Sequence, residues 1–210
     1  EILDATTTSF ASSFPTSTKV MSIQGAISNY FTSNTSERSS QGFVYEEPAF
    51  GTVLATFDVD NETTIQYPFA YGDYFTDNFS GSLAFDFNGF PQTPTATGVA
   101  YASIDGQGTL LLPNSTSLSN VIRYKIVDTV FTQVNFIGVM DIEFVRTQYE
   151  YYDLANNSLP VFIHTVVSIA QSGGGAALMS QTNVVSSVAP NANLGIQDEA
   201  ANTFSVYPNP

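Results

Sequence analysis

Val121-Ile122-Arg123-Tyr124-Lys125-Ile126-Val127 is the stretch that decides how this chain folds. Ile122, Tyr124 and Ile126 recur at every second position, and Arg123 and Lys125 fall between them. Side chains alternate across a β-strand, so this is a strand with one apolar face and one charged face. Working outward, Val139 to Tyr152 repeats the pattern, with Met140, Ile142 and Phe144 on one side and Asp141, Glu143, Thr147 and Tyr149 on the other. Val161 to Ile169 is almost continuously apolar and β-branched, which predicts a strand covered on both faces. His164 lies inside it and is expected to be a hydrogen-bonded core histidine. Thr52 to Asp58 and Gly98 to Ile104 also read as strands. Turn-forming pairs fall between these runs: Asp60-Asn61, Tyr71-Gly72-Asp73, Asn88-Gly89, Pro113-Asn114 and Asn156-Asn157. Asp105-Gly106 predicts a tight hairpin. Thr18 to Tyr30 is the one place where a short helix is expected. The predicted fold is all-β, an antiparallel sandwich or distorted barrel.

Composition supports a folded domain. Of 210 residues, 43% are hydrophobic, enough for a core. No apolar run approaches the roughly 20 residues of a membrane-spanning helix, so no membrane insertion is expected. Nineteen acidic residues face five basic ones, a formal charge of -14, which disfavours nucleic acid and anionic membrane as partners. With no cysteine there is no disulfide or thiolate chemistry. After Ile169 the composition changes. Ser172-Gly173-Gly174-Gly175 reads as a flexible joint, and Ala189 to Asn202 as a linker rich in small polar residues. The expected division is a β-rich domain over 1–172, a linker over 173–203 with one extra strand from Met179 to Val188, and a separate element over 204–210.

That last element, Phe204-Ser205-Val206-Tyr207-Pro208-Asn209-Pro210, resembles the opening strand and turn of the type IX secretion sorting domain of Bacteroidetes. The resemblance implies recognition by the type IX secretion machinery, export across the outer membrane and a secreted or cell-surface location. The body carries a second likeness. Tyr67-Pro68-Phe69-Ala70-Tyr71-Gly72-Asp73-Tyr74-Phe75-Thr76-Asp77-Asn78-Phe79-Ser80-Gly81 is similar to a segment of β-rich secreted proteins that bear the same sorting tail. Gly106-Gln107-Gly108-Thr109-Leu110-Leu111-Leu112-Pro113 followed by Asn120-Val121-Ile122-Arg123 is similar to another. The likeness implies location and fold type and attaches no activity. Members begin with further strands, so the chain is expected to be an N-terminally shortened fragment.

Three groups of residues carry candidate chemistry. Asp58, Asp60 and Glu62 put carboxylates at alternate positions, a donor type suited to calcium. Asp73 and Asp77 bracket the aromatic segment containing Tyr71 and Tyr74. Rings that stack on a pyranose beside acids that accept its hydroxyls are what a glycan site needs. Asp141 and Glu143 share a strand face about 7 Å apart, within the range glycosidases use. Arg123, Lys125 or Arg146 on neighbouring strands are the expected ion-pair partners of those two acids. His164 is the sole histidine, and neither a nucleophile elbow nor a phosphate-binding glycine loop is present. The expectations, in order, are a glycan-binding or adhesion module, a carboxylate-dependent polysaccharide hydrolase, and a structural surface spacer.

Overall fold

The computed structural model describes residues 1–23, 27–47, 51–87, 89–113, 115–135, 138–155, 159–173 and 177–187. The fold is all-β, with two single-turn 3-10 helices as its only helices among the described residues. The strands are β1 (Ile2–Asp4), β2 (Lys19–Ile23), β3 (Ile27–Ser33), β4 (Glu37–Glu47), β5 (Gly51–Asp60), β6 (Glu62–Gln66), β7 (Tyr74–Phe87), β8 (Phe90–Gln92), β9 (Thr95–Leu112), β10 (Thr116–Asn135), β11 (Val139–Asp153), β12 (Phe162–Gln171) and β13 (Ala177–Ser186). They form one antiparallel sheet in the order β1-β2-β3-β4-β5-β7-β9-β10-β11-β12-β13, with β6 added to β4 and β8 to β7. The sheet curls into a half-barrel. Arg38 on β4 reaches Glu150 on β11, and the Tyr45 hydroxyl on β4 donates to Gln181 on β13, so the two ends of the sheet face each other across one interior.

The alternation read from β10 places the core. Ile122, Tyr124 and Ile126 are buried, as are Val130 and Val134 further along the same face. They meet Ile142, Phe144 and Tyr152 of β11, Val167 and Ile169 of β12, and Phe57, Phe79 and Leu83 from the other arm of the curl. Full burial of one such side chain contributes about 1.5–3 kcal/mol. Gly98 is required by this packing, because a Cβ there would fall 2.1 Å from the Phe79 ring. Gly42 sits beside a bulge between β3 and β4 at φ +135°, a conformation that side-chain-bearing residues rarely adopt.

Four local expectations are corrected. Thr18 to Tyr30 holds no helix among its described residues, where β2 and β3 pair from Lys19↔Phe31 to Ile23↔Ile27. Val20, Ile23 and Tyr30 are buried there, and sheet pairing outweighs the weak local helical preference. Asp105-Gly106 is no hairpin. Strand β9 runs straight through, Asp105 is the extra residue of a bulge against Arg123 and Tyr124, and its carboxylate ties to Arg123 at 2.8 Å. Val161 to Ile169 is not covered equally on both faces, since burial alternates along it. His164 is therefore outside the core, on the half-buried outer face at 6.1 Å from the Tyr149 ring, while its neighbour Thr165 points inward and donates to Gln148. The expected late strand is present as β13, in register with β12 from Phe162↔Ser186 to Ala170↔Ala177. Asn88, Asn114, Asn156, Asn157, most of the linker and Phe204 to Pro210 lie outside the described residues.

Candidate functional site on the outer sheet face

The half-barrel has two surfaces of different chemistry. The inner surface holds an ionic network. Arg38 donates through its two terminal guanidinium nitrogens to Glu150, at 3.2 and 2.7 Å. Glu150 also accepts from Gln148 at 2.6 Å and from the Tyr152 hydroxyl. Burial works against charge on Glu150, but the Arg38 charge and these hydrogen bonds outweigh it and hold the carboxyl below its ordinary range. Arg146 donates to Asp128 at 2.6 Å, to Asn29 at 3.0 Å and to Glu62 at 3.2 Å. Glu62 is the poorly served member. Burial, then the Asp128 charge, push its pKa up to about 8 despite Arg146. Burial raises the pKa of Asp128 as well, opposed by the charge and hydrogen bond of Arg146. The void touching Asp128 and Arg146 is about 20 Å³, room for a water molecule and not for a substrate.

This placement separates the proposed calcium ligands. Asp58 and Asp60 are exposed at the end of β5, whereas Glu62 is 1% exposed and turned inward toward Arg146. Strands β5 and β6 both run antiparallel to β4, which pairs with Gly51 to Thr56 and then with Glu62 to Gln66, so the chain steps aside between Thr56 and Glu62 and the three acids do not share a face. Among the described residues no group of three acidic, histidine or cysteine side chains is arranged to hold a metal ion.

The outer surface gathers the other candidates. Pairing of β7 with β9 sets Tyr74 opposite Ser103 and Thr76 opposite Tyr101. Pairing of β9 with β10 sets Tyr101 opposite Val127 and Thr97 opposite Phe131. Pairing of β10 with β11 sets Phe131 opposite Glu143 and Gln133 opposite Asp141. Directly opposed residues share a face, so Tyr74, Tyr101, Phe131, Glu143 and Asp141 all project outward. Tyr74 is 83% exposed, Tyr101 57% and Phe131 41%.

One depression lies at the start of β7, where residues of both faces line it, and another lies on the outer face at the Asp141 end. The first, about 260 Å³, is a cleft lined by Gln66, Phe69, Asp73, Tyr74, Ser103 and Tyr124, among others. The sequence from Tyr67 to Asp73 builds its wall. Phe69 anchors that segment by packing its ring 5.4 Å from Tyr152, and Asp73 closes the turn by accepting from the Ala70 amide at 2.7 Å. Ile104 of β9 then pairs with the turn through the Gly72 amide and the Asp73 carbonyl. Tyr71 and Tyr74 are left pointing into solvent. Asp77 does not join the cleft. Its carboxylate accepts from the Thr63 amide at 2.7 Å and ties β7 to β6, and partial burial raises its pKa.

The second depression, about 510 Å³ and open, is bordered by Thr97, Phe131, Gln133, Asp141, Glu143 and Ser172. Asp141 accepts from Gln133 at 2.9 Å. None of the three expected cations pairs with Asp141 or Glu143. Arg123 is bound to Asp105, Lys125 lies 5.8 Å from the Tyr149 ring, and Arg146 has the opposite parity to both acids and points inward. Tyr101 and Phe131 were not singled out from the sequence. Their signal was available in strand parity, since Tyr101 shares a face with Ser103, and Phe131 with Lys125 and Val127.

No family model, curated protein or solved structure matches this chain.

Proposed function

We propose that this protein is a secreted or cell-surface binding module that takes glycan in the cleft beside Tyr74. The observation carrying the reading is the pairing of a strongly exposed ring, Tyr74, with hydrogen-bonding side chains, Gln66, Asp73 and Ser103, around one concavity of about 260 Å³. A pyranose offers an apolar ring face and a rim of hydroxyls, and this cleft presents a partner for each. Export through the type IX machinery, directed by Phe204 to Pro210, is the delivery route that fits such a role.

A glycan array probed with the whole chain tests the reading. Binding of at least one neutral glycan is expected, and Tyr74→Ala is expected to weaken it about tenfold, the loss of one ring contact. Removing calcium with a chelator is expected to leave binding unchanged, because Asp58, Asp60 and Glu62 are not brought together. Absence of binding across the array would overturn the proposal in favour of a structural spacer. The second reading, hydrolysis, is favoured by one observation. Asp141 and Glu143 stand about 7 Å apart at the backbone beside the Phe131 ring, a separation compatible with paired carboxylates in glycosidases. A polysaccharide-cleavage screen in which Asp141→Asn and Glu143→Gln abolish product would establish it.

A further inference from the structure

The cleft is one end of a longer feature. Measured along the sheet, Tyr101 lies one strand over from Tyr74 and two residues further along, and Phe131 lies one more strand over and four residues beyond that. With strands about 4.8 Å apart and about 3.3 Å per residue, Tyr74 to Tyr101 is about 8 Å and Tyr101 to Phe131 about 14 Å. The three rings therefore mark a diagonal of roughly 20 Å across the face, longer than a disaccharide reaches. The diagonal ends at the second depression, where Glu143 stands opposite Phe131 and Gln133 holds Asp141.

Between the rings the same face presents Thr76, Ser103 and Thr129 together with the half-buried Val99 and Val127, so hydroxyls alternate with small aliphatic side chains. A protein partner would favour one contiguous apolar patch. Separated rings among hydroxyls suit a polymer whose every unit has both a stacking face and polar edges. Charge narrows the class. Asp73 lies at one end, Asp141 and Glu143 at the other, and the one cation between them, Lys125, lies against the Tyr149 ring. With a chain charge of -14, a uronate- or sulfate-bearing polymer is repelled.

We infer that the outer face is a single array of subsites for an extended, uncharged polysaccharide, running from Tyr74 through Tyr101 to Phe131. The inference rests on the glycan reading of the cleft and adds chain length and charge class to it. The test is isothermal titration of the whole chain with β-1,4-linked gluco- and manno-oligosaccharides, each as disaccharide and as hexasaccharide, with polygalacturonate as the anionic comparison. The hexasaccharide of the preferred series is expected to bind at least tenfold more tightly than the disaccharide. Tyr101→Ala and Phe131→Ala are each expected to weaken hexasaccharide binding about tenfold while leaving the disaccharide unaffected, and Tyr74→Ala to weaken both. Equal affinity for the two lengths, or insensitivity to Tyr101→Ala and Phe131→Ala, would overturn the array and leave the cleft reading standing. Tighter binding of polygalacturonate would overturn the charge class. No binding of any probe by the unaltered chain would overturn the array and the cleft reading together.

Discussion

Arg146 and Arg123 stand on neighbouring strands, and each holds an aspartate through its Nε at 2.6 and 2.8 Å. The Arg146–Asp128 pair faces the interior and its side chains are 11% and 6% exposed. The Arg123–Asp105 pair faces out and its side chains are 38% and 30% exposed. The chemistry is the same and the consequences differ. In the interior, each charge has lost its water and depends on its partner, so removing one member strands the other. On the outside, water screens what remains. The inner face therefore uses its polar residues to hold the curl together, and the outer face keeps its own in pairs that water reaches.

The largest test of this contrast is Arg38→Met, which leaves Glu150 buried without its cation. A stability loss of about 3–5 kcal/mol is expected, read from the midpoint of denaturant unfolding. If the midpoint hardly moves, the interior is wetter than the geometry states. The next effect is pH-dependent. The folded pKa of Glu62, about 8, stands above its ordinary 4.5, so the folded state keeps a proton that the unfolded state releases. Its contribution is full below about pH 4.5 and is lost as pH rises toward about 8. Glu62→Gln cannot ionise, so its stability relative to the unaltered protein is expected to grow across that window, by at most about 1.4 kcal/mol per pH unit. A constant difference from pH 4 to pH 9 would show that Glu62 titrates alike in the folded and unfolded states. A smaller effect belongs to Arg123→Ala, expected to lower stability by less than about 1 kcal/mol, with that loss shrinking in high salt. The smallest belongs to Tyr101→Ala, expected to stay within about 0.5 kcal/mol while affecting ligand binding. A large destabilisation there would place Tyr101 in a structural role.

Much of the sheet was legible because period-2 burial is a local property. Ile122, Tyr124 and Ile126 are buried as their spacing demands, and Met140, Ile142 and Phe144 face the same interior. The same parity, carried further, puts Asp128 and Arg146 on the inner face, yet charged residues invite an outward reading because isolated ones are rarely buried. That bias also made Arg146 a supposed partner of Glu143, which strand alternation forbids. Of the candidate site, Asp73 and Tyr74 were legible from composition, whereas Tyr101 and Phe131 needed the register that sets them beside Thr76 and Thr97.

The residue pattern alone determined that the chain is built of strands, which side chains of each strand share a face, and that its formal charge is -14. Tertiary structure decided which faces meet. Arg38 finds Glu150 across 112 residues of sequence only because the sheet curls. Glu62 leaves the company of Asp58 and Asp60 only because β6 returns to β4 after the chain has stepped aside from it, which sets Glu62 inside the curl. Spacing along a strand is set by backbone geometry, which every residue carries with it. Pairing across an interior is set by where distant strands come to rest, which depends on every residue between them.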